Sequence, residues 1–493
     1  MMPRGTSSKL ATWPTLYLAE ADVHTGVVAE IQSAFPFMRH RNFSRRDFLK
    51  TTSLALPLAA AGCASISGGR AGVATTPDDF VRVRDGHFEI RGQPYSYVGT
   101  NLWYGCYLGA PALPGGRDRL VRELDRLQGI GVNNIRLLAG SETSPLVGAI
   151  PRGITRAPGD YDEDLLQGLD FCLAEMARRN MRGILFLSNY WQWSGSFAQY
   201  VRWVTGEAIP DPDKPVMAHG DWGAFMRFSA RFYRTPAAIA LYREYVAFLI
   251  NRRNTVNGRR YRDDPVIMTW ELANEPRPGT DDADEQSVEV FCQWVDETAR
   301  FIHSEAPHQL VCTGSEGIWG CLKKPEVFIK AHASPAIDYV TVHMWLKNWG
   351  WLRDPMLSEE YKKAALRARD HVEQHTVIGT DTLHKPLVLE EFGLPRDHEK
   401  YDPASPTTAR DDYYRRMFDQ VAESCQAGRA LQGANFWTWA GEGRAGNTNP
   451  YSAATLTGDP FCEPQGLNSV FDTDKGTLAV VARANQKLAA LVT

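Results

Sequence analysis

Two short stretches of this sequence each join a buried-strand pattern to a carboxylate. In Thr269–Pro276, β-branched and aromatic residues lead to Glu275, and the final proline cannot continue a strand ladder. The stretch 386–393 is a second apolar run, ending in Glu390 and Glu391. A carboxylate at the C-terminal end of a parallel strand lies where an α/β barrel keeps its chemistry. Each stretch alone also fits an ordinary strand-to-loop turn, but together they could supply the carboxylate pair that glycoside hydrolysis needs.

Strand-like and helix-like patterns alternate around these stretches. Eight repeats over roughly 400 residues match a (β/α)₈ barrel; a doubly wound open sheet is the alternative, but it usually has fewer strands. The predicted strands are Tyr95–Leu102, Asn134–Leu138, Gly183–Ser188, Val266–Leu272, Leu310–Gly314, Tyr339–His343, Leu387–Glu391 and Gly433–Trp437. The predicted helices are Asp118–Leu127, Glu163–Arg179, Ala237–Asn251, Ser287–Ser304, Pro325–Ala331, Ser358–Gln374, Thr408–Ala427 and Leu478–Leu491.

The N-terminal segment resembles an export signal. Ser44–Lys50 (SRRDFLK) looks like a twin-arginine motif, and the apolar run 54–61 that follows is too short to span a membrane as a helix. Small residues before Cys63 resemble a lipobox, in which that cysteine is lipidated after cleavage. We therefore expect an exported protein, either a periplasmic or outer-membrane lipoprotein or an extracellular enzyme. We also expect Met38 to be the true start.

These features divide the chain into three predicted parts. Residues 1–63 form the N-terminal extension and signal, 64–77 a Gly/Ser/Ala/Thr-rich linker, and 78–493 the catalytic barrel. The barrel domain opens with a predicted hairpin, Val81–Ile90. The longest insertion, Tyr190–Pro236, follows the third strand, carries four tryptophans and should wall part of a cleft.

Composition narrows the class of ligand. The chain has 493 residues, 43% of them hydrophobic, and a formal net charge of −4 with acids and bases interspersed. Nothing in this pattern suggests a nucleic-acid partner, and we expect a monomer. The 14 tryptophans favour ligands with flat apolar faces such as sugar rings, although core packing explains most aromatic residues singly.

Polar and aromatic residues gather at the predicted strand ends, which packing alone does not readily explain. They are Asn101, Trp103, Tyr104, Arg136, Asn189, Tyr190, Trp191, Asn274, Glu275, Arg277, His343, Trp345, Glu390, Glu391, Trp437 and Trp439.

Several short motifs resemble glycoside hydrolase family 5, a (β/α)₈ family of the retaining clan, and within it the β-mannanase branch. The similarity runs from about Val81 to the C-terminus. It is carried by NEP at 274–276 together with EFG at 391–393, which lie three βα units apart. Branch-specific support comes from NEPR at 274–277, SNYWQWSG at 188–195, HMW at 343–345 and FWTW at 436–439.

The resemblance implies roles for the two glutamates. Glu275 would be the acid/base and Glu391 the nucleophile, about 5–5.5 Å apart as retention requires. Arg136 would keep the nucleophile ionised, since a buried arginine needs a partner. Asn274 would bind the sugar 2-hydroxyl. Glu390 is the rival nucleophile, but adjacent strand residues point to opposite faces, so only one of the two should face the pocket.

Further substrate contacts are implied by the same resemblance. His343 would contact the substrate or the acid/base, unless it is a satisfied barrel histidine. Many family members have a tyrosine near the position of Trp345, so the nucleophile contact made by that tyrosine is in question here. Trp437 resembles the floor of the −1 sugar site, and Arg277 lies where mannanases contact leaving-side sugars, or is a solvated charge. The remaining predicted binding residues are Trp103, Asn189 and Trp191, of which the two tryptophans could equally be core.

The sequence therefore predicts a retaining hydrolase that cleaves internal β-1,4-mannosidic bonds in a mannan-type polysaccharide or manno-oligosaccharide. Exo-acting β-mannosidase and β-1,4-glucanase remain alternatives on the same scaffold. A non-catalytic glycan-binding lipoprotein is a further alternative, but it would be expected to lack one of the two carboxylates, and both are present here. We expect no metal or other cofactor: HExxH is absent, and the histidines lack the spacing of metal ligands. A Ser-His-Asp site is not expected either, because GxSxG is absent.

Overall fold

An eight-stranded parallel sheet forms the centre of the computed structural model, which describes residues 76–214, 220–445 and 452–492. In chain order its strands are β1 (Tyr97–Asn101), β2 (Asn134–Leu138), β3 (Arg182–Phe186), β4 (Ile267–Glu271), β5 (Leu310–Cys312), β6 (Val340–Met344), β7 (Leu387–Phe392) and β8 (Leu431–Phe436). Their spatial order is β5-β4-β3-β2-β1-β8-β7-β6.

The two outer strands of this sheet approach each other through Asp338. Its backbone N–H donates to the carbonyl of Val311 (2.9 Å), and its carboxylate accepts the Val311 N–H (2.6 Å). The sheet is therefore curled into a nearly closed barrel. The (β/α)₈ prediction is confirmed, with strand bounds that differ from the predicted ones by a few residues at most.

Eight helices follow the strands in turn and pack their apolar faces on the outside of the barrel, as alternating βα units require. They are α1 (Gly116–Gly129), α2 (Glu163–Arg178), α3 (Pro236–Ile250), α4 (Glu285–Glu305), α5 (Pro325–His332), α6 (Glu359–Val377), α7 (Thr408–Gln426) and α8 (Lys475–Val492). Local sequence sets their starts: the Asp284 carboxylate, for example, caps α4 by accepting the Ser287 N–H at 2.8 Å.

The N-terminal hairpin closes the bottom of the barrel. Strands Arg82–Arg84 and His87–Ile90 pair antiparallel, and a short third strand, Gln93–Pro94, pairs with the second. Phe88 is fully buried against the ring of Tyr339. The same core contains interior barrel residues such as Met268, so access to the barrel is left at the C-terminal ends of the strands.

Two long segments rise over that open end. The insertion after β3 contains helices Phe197–Thr205 and Trp222–Ala230. The connection from β8 to α8 was not singled out in the sequence, although it is about as long. It begins and ends in a small parallel pair, Trp439–Gly441 with Val470–Phe471. We call the part of this connection at 457–469 the β8 loop.

The predicted signal, Met38, Cys63 and nearly all of the predicted linker lie outside the described residues. Within the described ranges, no helix combines the length and the apolar character needed to cross a membrane.

Candidate active site

The end of β4 places Glu275 over the barrel with its backbone fixed on both sides. The Asn274 N–H donates to the carbonyl of Ser188 (2.9 Å), and the Glu275 N–H donates to that of Gly314 (2.8 Å). Glu275 is buried and has a left-handed backbone (φ 52°). A non-glycine residue holds this conformation only where its surroundings determine it, and such residues concentrate at functional sites.

The end of β7 carries Glu390 and Glu391, whose side chains do not point to opposite faces of the sheet as simple alternation predicts. The register between β6 and β7 shifts so that Val342 pairs with Leu389 and the next residue, His343, pairs with Glu391. This bulge lets both glutamates approach the barrel interior rather than opposite faces of the sheet. Glu391 reaches the open end, while Glu390 lies beneath it.

Glu275, His343 and Glu391 meet at the centre of the open end. His343 Nδ1 lies 2.6 Å from Glu275 Oε1 and 3.3 Å from Glu391 Oε2. One oxygen of Glu275 and one oxygen of Glu391 lie within 4.8 Å of each other. This close approach fits the roughly 5–5.5 Å between the carboxyl groups of retaining glycosidases better than the roughly 6.5–9.5 Å of inverting ones.

Arg136, at the middle of β2, is fully buried and holds the base of the site together. Its Nε and Nη2 donate to the two oxygens of Glu271 at 2.8 and 2.5 Å. Nη2 also donates to Asn274 Oδ1 (2.8 Å), and Nη1 donates to Glu391. The sequence prediction paired Arg136 with the nucleophile but missed Glu271, although this last residue of β4 is four positions before Glu275. Since Arg136 has no exposed surface, it orients site residues rather than touching a ligand.

The electrostatics favour one shared proton. Burial raises the pKa of Glu275, opposed by Arg277 and by a hydrogen bond from Trp191. Burial also raises the pKa of Glu391, and the charge of Glu275 adds to this effect while Arg136 opposes it. Two buried carboxylates this close do not readily ionise together. Burial lowers the pKa of His343 to about 4, so this imidazole is neutral at pH 7.

Asn189 and Trp191, after β3, support the acid/base side. Asn189 Oδ1 accepts hydrogen bonds from Asn274 Nδ2 (3.1 Å) and from the Trp191 backbone N–H (3.0 Å). The Trp191 indole N–H donates to Glu275 Oε2 at 2.5 Å. Asn189 is fully buried and therefore positions its neighbours, whereas Trp191 is partly exposed and faces the opening.

Arg277 is not a solvated charge. Its guanidinium stacks over the Trp191 ring at 4.9 Å, and its Nε donates to Glu316 Oε2 at 2.6 Å. Glu316 follows β5 and was not singled out in the sequence. A largely buried arginine beside Glu275 required such a partner, but the residue that supplies it could only be found in three dimensions.

The tryptophans differ in what they can contact. Trp345 is partly exposed, and its ring lies 6.2 Å from that of the nearly buried Trp437. Trp103, predicted as a cleft wall, is only 1% exposed, and its indole N–H donates to the Gly458 carbonyl (2.6 Å). Trp103 therefore supports the β8 loop from below and is not a cleft wall.

Two groups of side chains bring potential metal ligands within 4.8 Å: Glu275 with His343 and Glu391, and Glu271 with Cys312 and Glu390. Arg136 already neutralises Glu271 in the second group. In the first group, His343 Nδ1 shares a hydrogen bond with Glu275, and Arg136 donates to Glu391. The arrangement of both groups is explained without an ion, and the expectation of a metal-free site remains a prediction.

A (β/α)₈ barrel with two close, buried carboxylates after β4 and β7 defines a retaining-type glycosidase. The comparisons with known proteins agree. The model for "GH family 5 beta-mannosidase-like" proteins matches residues 78–493, and the chain belongs to glycoside hydrolase family 5.

Relatives and solved structures support this assignment. Putative mannan endo-1,4-beta-mannosidase 4 of Arabidopsis thaliana is 31% identical over 399 residues, which are 77% of this chain and 88% of the relative. The glycoside hydrolase family 5 mannosidase from Rhizomucor miehei superposes with a TM-score of 0.76 at 35% identity, covering 85% of this chain and 99% of that one. A variant of the Rhizomucor protein in complex with mannosyl-fructose gives a TM-score of 0.76 at 35% identity, with coverages of 84% and 99%.

Proposed function

We infer that the protein is a mannan endo-1,4-β-mannosidase, a retaining hydrolase of β-1,4-mannosidic bonds. The observation that carries this inference is the close approach of Glu275 and Glu391 across the open end of the barrel, within 4.8 Å. The mannan preference rests on the activity for which the Arabidopsis relative is named.

In the proposed first step, Glu391 attacks the anomeric carbon while Glu275 donates its proton to the departing glycosidic oxygen. In the second, Glu275 accepts a proton from water, which attacks the same carbon and releases Glu391. We place the resting proton on Glu275, because the guanidinium of Arg136 binds Glu391 directly. His343 Nδ1 lies against both carboxylates and is placed to orient them through both steps.

The substrate would occupy the space bounded by the partly exposed Trp191 and Trp345. Asn274 is held by Arg136 and Asn189 beside the carboxylates, where an amide can bind the 2-hydroxyl. The stacked pair of Trp191 and Arg277 stands on the Glu275 side, which is where a leaving-group sugar would lie. Sugar C–H faces pack well on such aromatic surfaces.

A second candidate function, exo-acting β-mannosidase, is favoured by the β8 loop. This loop is fixed internally, since the Asp459 carboxylate accepts the N–H groups of Gly466 and Asn468 (both 2.8 Å). The loop carries Glu463, whose Oε2 is buried and has no hydrogen-bond partner within the described residues. Burial, then the charges of Asp459 and Glu275, raise its pKa to about 8. A fixed loop with a free carboxyl near Glu275 could close one end of the cleft and bind a terminal sugar.

A product profile separates the two functions. Purified protein is incubated with mannohexaose and, in parallel, with cellohexaose, and early products are resolved by chromatography. A mixture of short manno-oligosaccharides is the result expected of endo action; early release of mannose alone would establish the exo alternative. Cleavage of cellohexaose in preference to mannohexaose would contradict both. Glu275→Gln should remove the activity, while Glu297→Gln on the exposed face of α4 should leave it unchanged.

We further propose that the enzyme is exported by the twin-arginine route, is lipidated at Cys63 and acts as a monomer. The sequence Ser44–Lys50 and the small residues before Cys63 support the first two statements. Replacing Arg45 and Arg46 by lysine should retain the protein in the cytoplasm, and Cys63→Ala should release it from membranes in fractionation. Light scattering of the purified protein tests the monomer.

A further inference from the structure

Beneath the proposed catalytic pair lies another pair of carboxyls. Glu271 and Glu390 are both fully buried inside the barrel, one at the end of β4 and the other at the bulge of β7. Glu271 is bound by Arg136 through two hydrogen bonds. Neither oxygen of Glu390 accepts a hydrogen bond in the part of the chain that the structure describes. A buried carboxylate that accepts no hydrogen bond is costly and needs an explanation.

The polar groups close to Glu390 are Glu271, His343 and Arg136. An oxygen of Glu390 lies within 4.8 Å of an oxygen of Glu271, and a hydrogen bond from Glu390 lowers the pKa of Glu271. Both oxygens of Glu271 already accept from Arg136, so they are occupied acceptors. Glu390 Oε2 lies 3.8 Å from His343 Nε2 and 3.8 Å from Arg136 Nε. His343 Nε2 is itself buried and unpartnered in the described chain. Glu390 Oε2 and His343 Nε2 are thus only about 0.8 Å farther apart than the two atoms of a typical hydrogen bond. This gap is too small for a water molecule between them.

The titratable and charged groups that face Glu390 lie on five of the eight strands or, for Tyr339, directly before one. They are Tyr97 on β1, Arg136 on β2, Glu271 on β4, Cys312 on β5, and Tyr339 and His343 at β6.

The charges around Glu390 indicate whether its carboxyl group is ionised or protonated. Arg136 is the cation of this layer, and its donors are used by Glu271, Asn274 and Glu391. An ionised Glu390 would be a third buried carboxylate sharing one guanidinium. Burial raises its pKa, and the charge of Glu271 raises it further. A neutral carboxylic acid avoids the cost of a buried unpaired charge.

We propose that Glu390 is a protonated positioning residue whose O–H donates to His343 Nε2 and so fixes the imidazole tautomer that carries its proton on Nδ1. This inference rests on the proposed function. With Nδ1–H in place, His343 donates to Glu275 at 2.6 Å and also faces Glu391 at 3.3 Å. The donor stabilises Glu275 as a carboxylate in the second half of the reaction, when it must act as a base. The opposite tautomer would turn a nitrogen lone pair toward both carboxylates.

The first test compares two substitutions of Glu390. Glu390→Gln keeps a neutral donor, because its amide N–H can replace the O–H, and we expect near-wild-type rates and an unchanged pH profile. Glu390→Leu keeps bulk but removes the donor, so kcat should fall roughly tenfold or more. Both limbs of its kcat/KM profile should move to higher pH, since both carboxylates lose a stabilising donor. If Glu390→Gln instead moved the profile to lower pH, the lost group would have been a negative charge, and the proposal would be wrong.

The second test does not depend on activity or on the folding of Glu390→Leu. Nitrogen-15 NMR of histidine-labelled wild-type protein reports which ring nitrogen of His343 is protonated, with the signal assigned by its loss in His343→Gln. A proton on Nδ1 and a bare Nε2 are expected in both wild type and Glu390→Gln. A proton on Nε2 would overturn the proposal even if the enzyme is an active mannanase. A protein with the expected tautomer and no glycosidase activity would overturn the proposed function alone.

Discussion

The open end of the barrel combines a floor and a rim that are built differently. We use floor for the strand-borne group Arg136, Asn274, Glu275, His343 and Glu391, and rim for the β3 insertion and the β8 loop. Floor side chains hydrogen-bond one another directly. Arg136 alone donates to Glu391, to Asn274 and to Glu271 beneath them.

The rim is held mainly to itself and to aromatic supports. Trp103 donates to the Gly458 carbonyl at 2.6 Å, and Gln192 Nε2 donates to Asp213 at 2.9 Å. The floor therefore sets the reaction, whatever the length of the polymer, while the rim sets which part of a chain can reach it. If this division is correct, floor substitutions should change rates, and rim substitutions that touch no floor residue should change products.

The largest expected effect is that of Glu391→Gln. Removing the nucleophile while leaving the rim intact should lower kcat by roughly 10⁴-fold or more. Binding should persist, because Gln preserves shape and the rim contacts remain. Steady-state rates on an aryl β-mannoside and calorimetric binding of manno-oligosaccharide measure the two quantities, with Glu297→Gln as the surface control. A variant that retains more than a hundredth of the activity would contradict the assignment.

Arg136→Met should damage both stability and rate. It leaves Glu271 and Glu391 as buried carboxyls without their cation, so the free energy of unfolding should fall by about 3–5 kcal/mol. Urea unfolding followed by fluorescence measures this loss. Arg300→Met, whose ion pair with Asp296 is exposed on α4, should change stability by less than about 0.5 kcal/mol. Equal effects of the two substitutions would show that Arg136 does not hold the floor together.

The ends of the strands could be predicted from the sequence, because a hydrophobic run and the polar residues that end it are neighbours along the chain. β2 was predicted with both bounds as observed, and the alignment of Glu275 and Glu391 with the strand ends followed from the same pattern. The Arg136–Glu271 pair was not found, because its members lie 135 positions apart.

The bulge that brings Glu390 inward could not be predicted either. The rule that successive strand residues point to opposite faces assumes a regular register, which a bulge interrupts. Gly393 shows the same limit. A Cβ there would lie 2.8 Å from the Trp437 carbonyl, a restriction imposed by another strand's loop. Trp103 was left open between cleft wall and core, because a position at a strand end does not distinguish a wall residue from the residue that supports it.

Trp191→Phe tests the contact between rim and floor. It keeps the aromatic surface but removes the N–H that donates to Glu275 Oε2 at 2.5 Å. This hydrogen bond lowers the pKa of Glu275, so its loss should raise that pKa. Because Glu275 must be protonated to act, the alkaline limb of kcat/KM should move to higher pH.

The value of kcat/KM for Trp191→Phe at the optimum should fall roughly tenfold, as expected for losing a charge-assisted hydrogen bond. Trp203→Phe, in the same insertion and packed on Tyr200, should leave the profile in place. An alkaline limb that stays where it is in Trp191→Phe would mean that the rim does not tune the acid/base.

The smallest change in rate, and the most informative about products, should come from Asp459→Asn. The substitution weakens the hydrogen bonds to Gly466, Asn468 and Ser469 that fix the β8 loop, without touching the floor. The rate on an aryl β-mannoside should stay within about threefold of wild type, as expected when no transition-state contact is lost. Products from mannohexaose should shift toward longer oligosaccharides, because a loosened loop lets chain ends extend past the site. Asp296→Asn on α4 is the matched control. If Asp459→Asn lowered the aryl-mannoside rate as much as Trp191→Phe does, the loop would belong to the reacting machinery, and the division between floor and rim would fail.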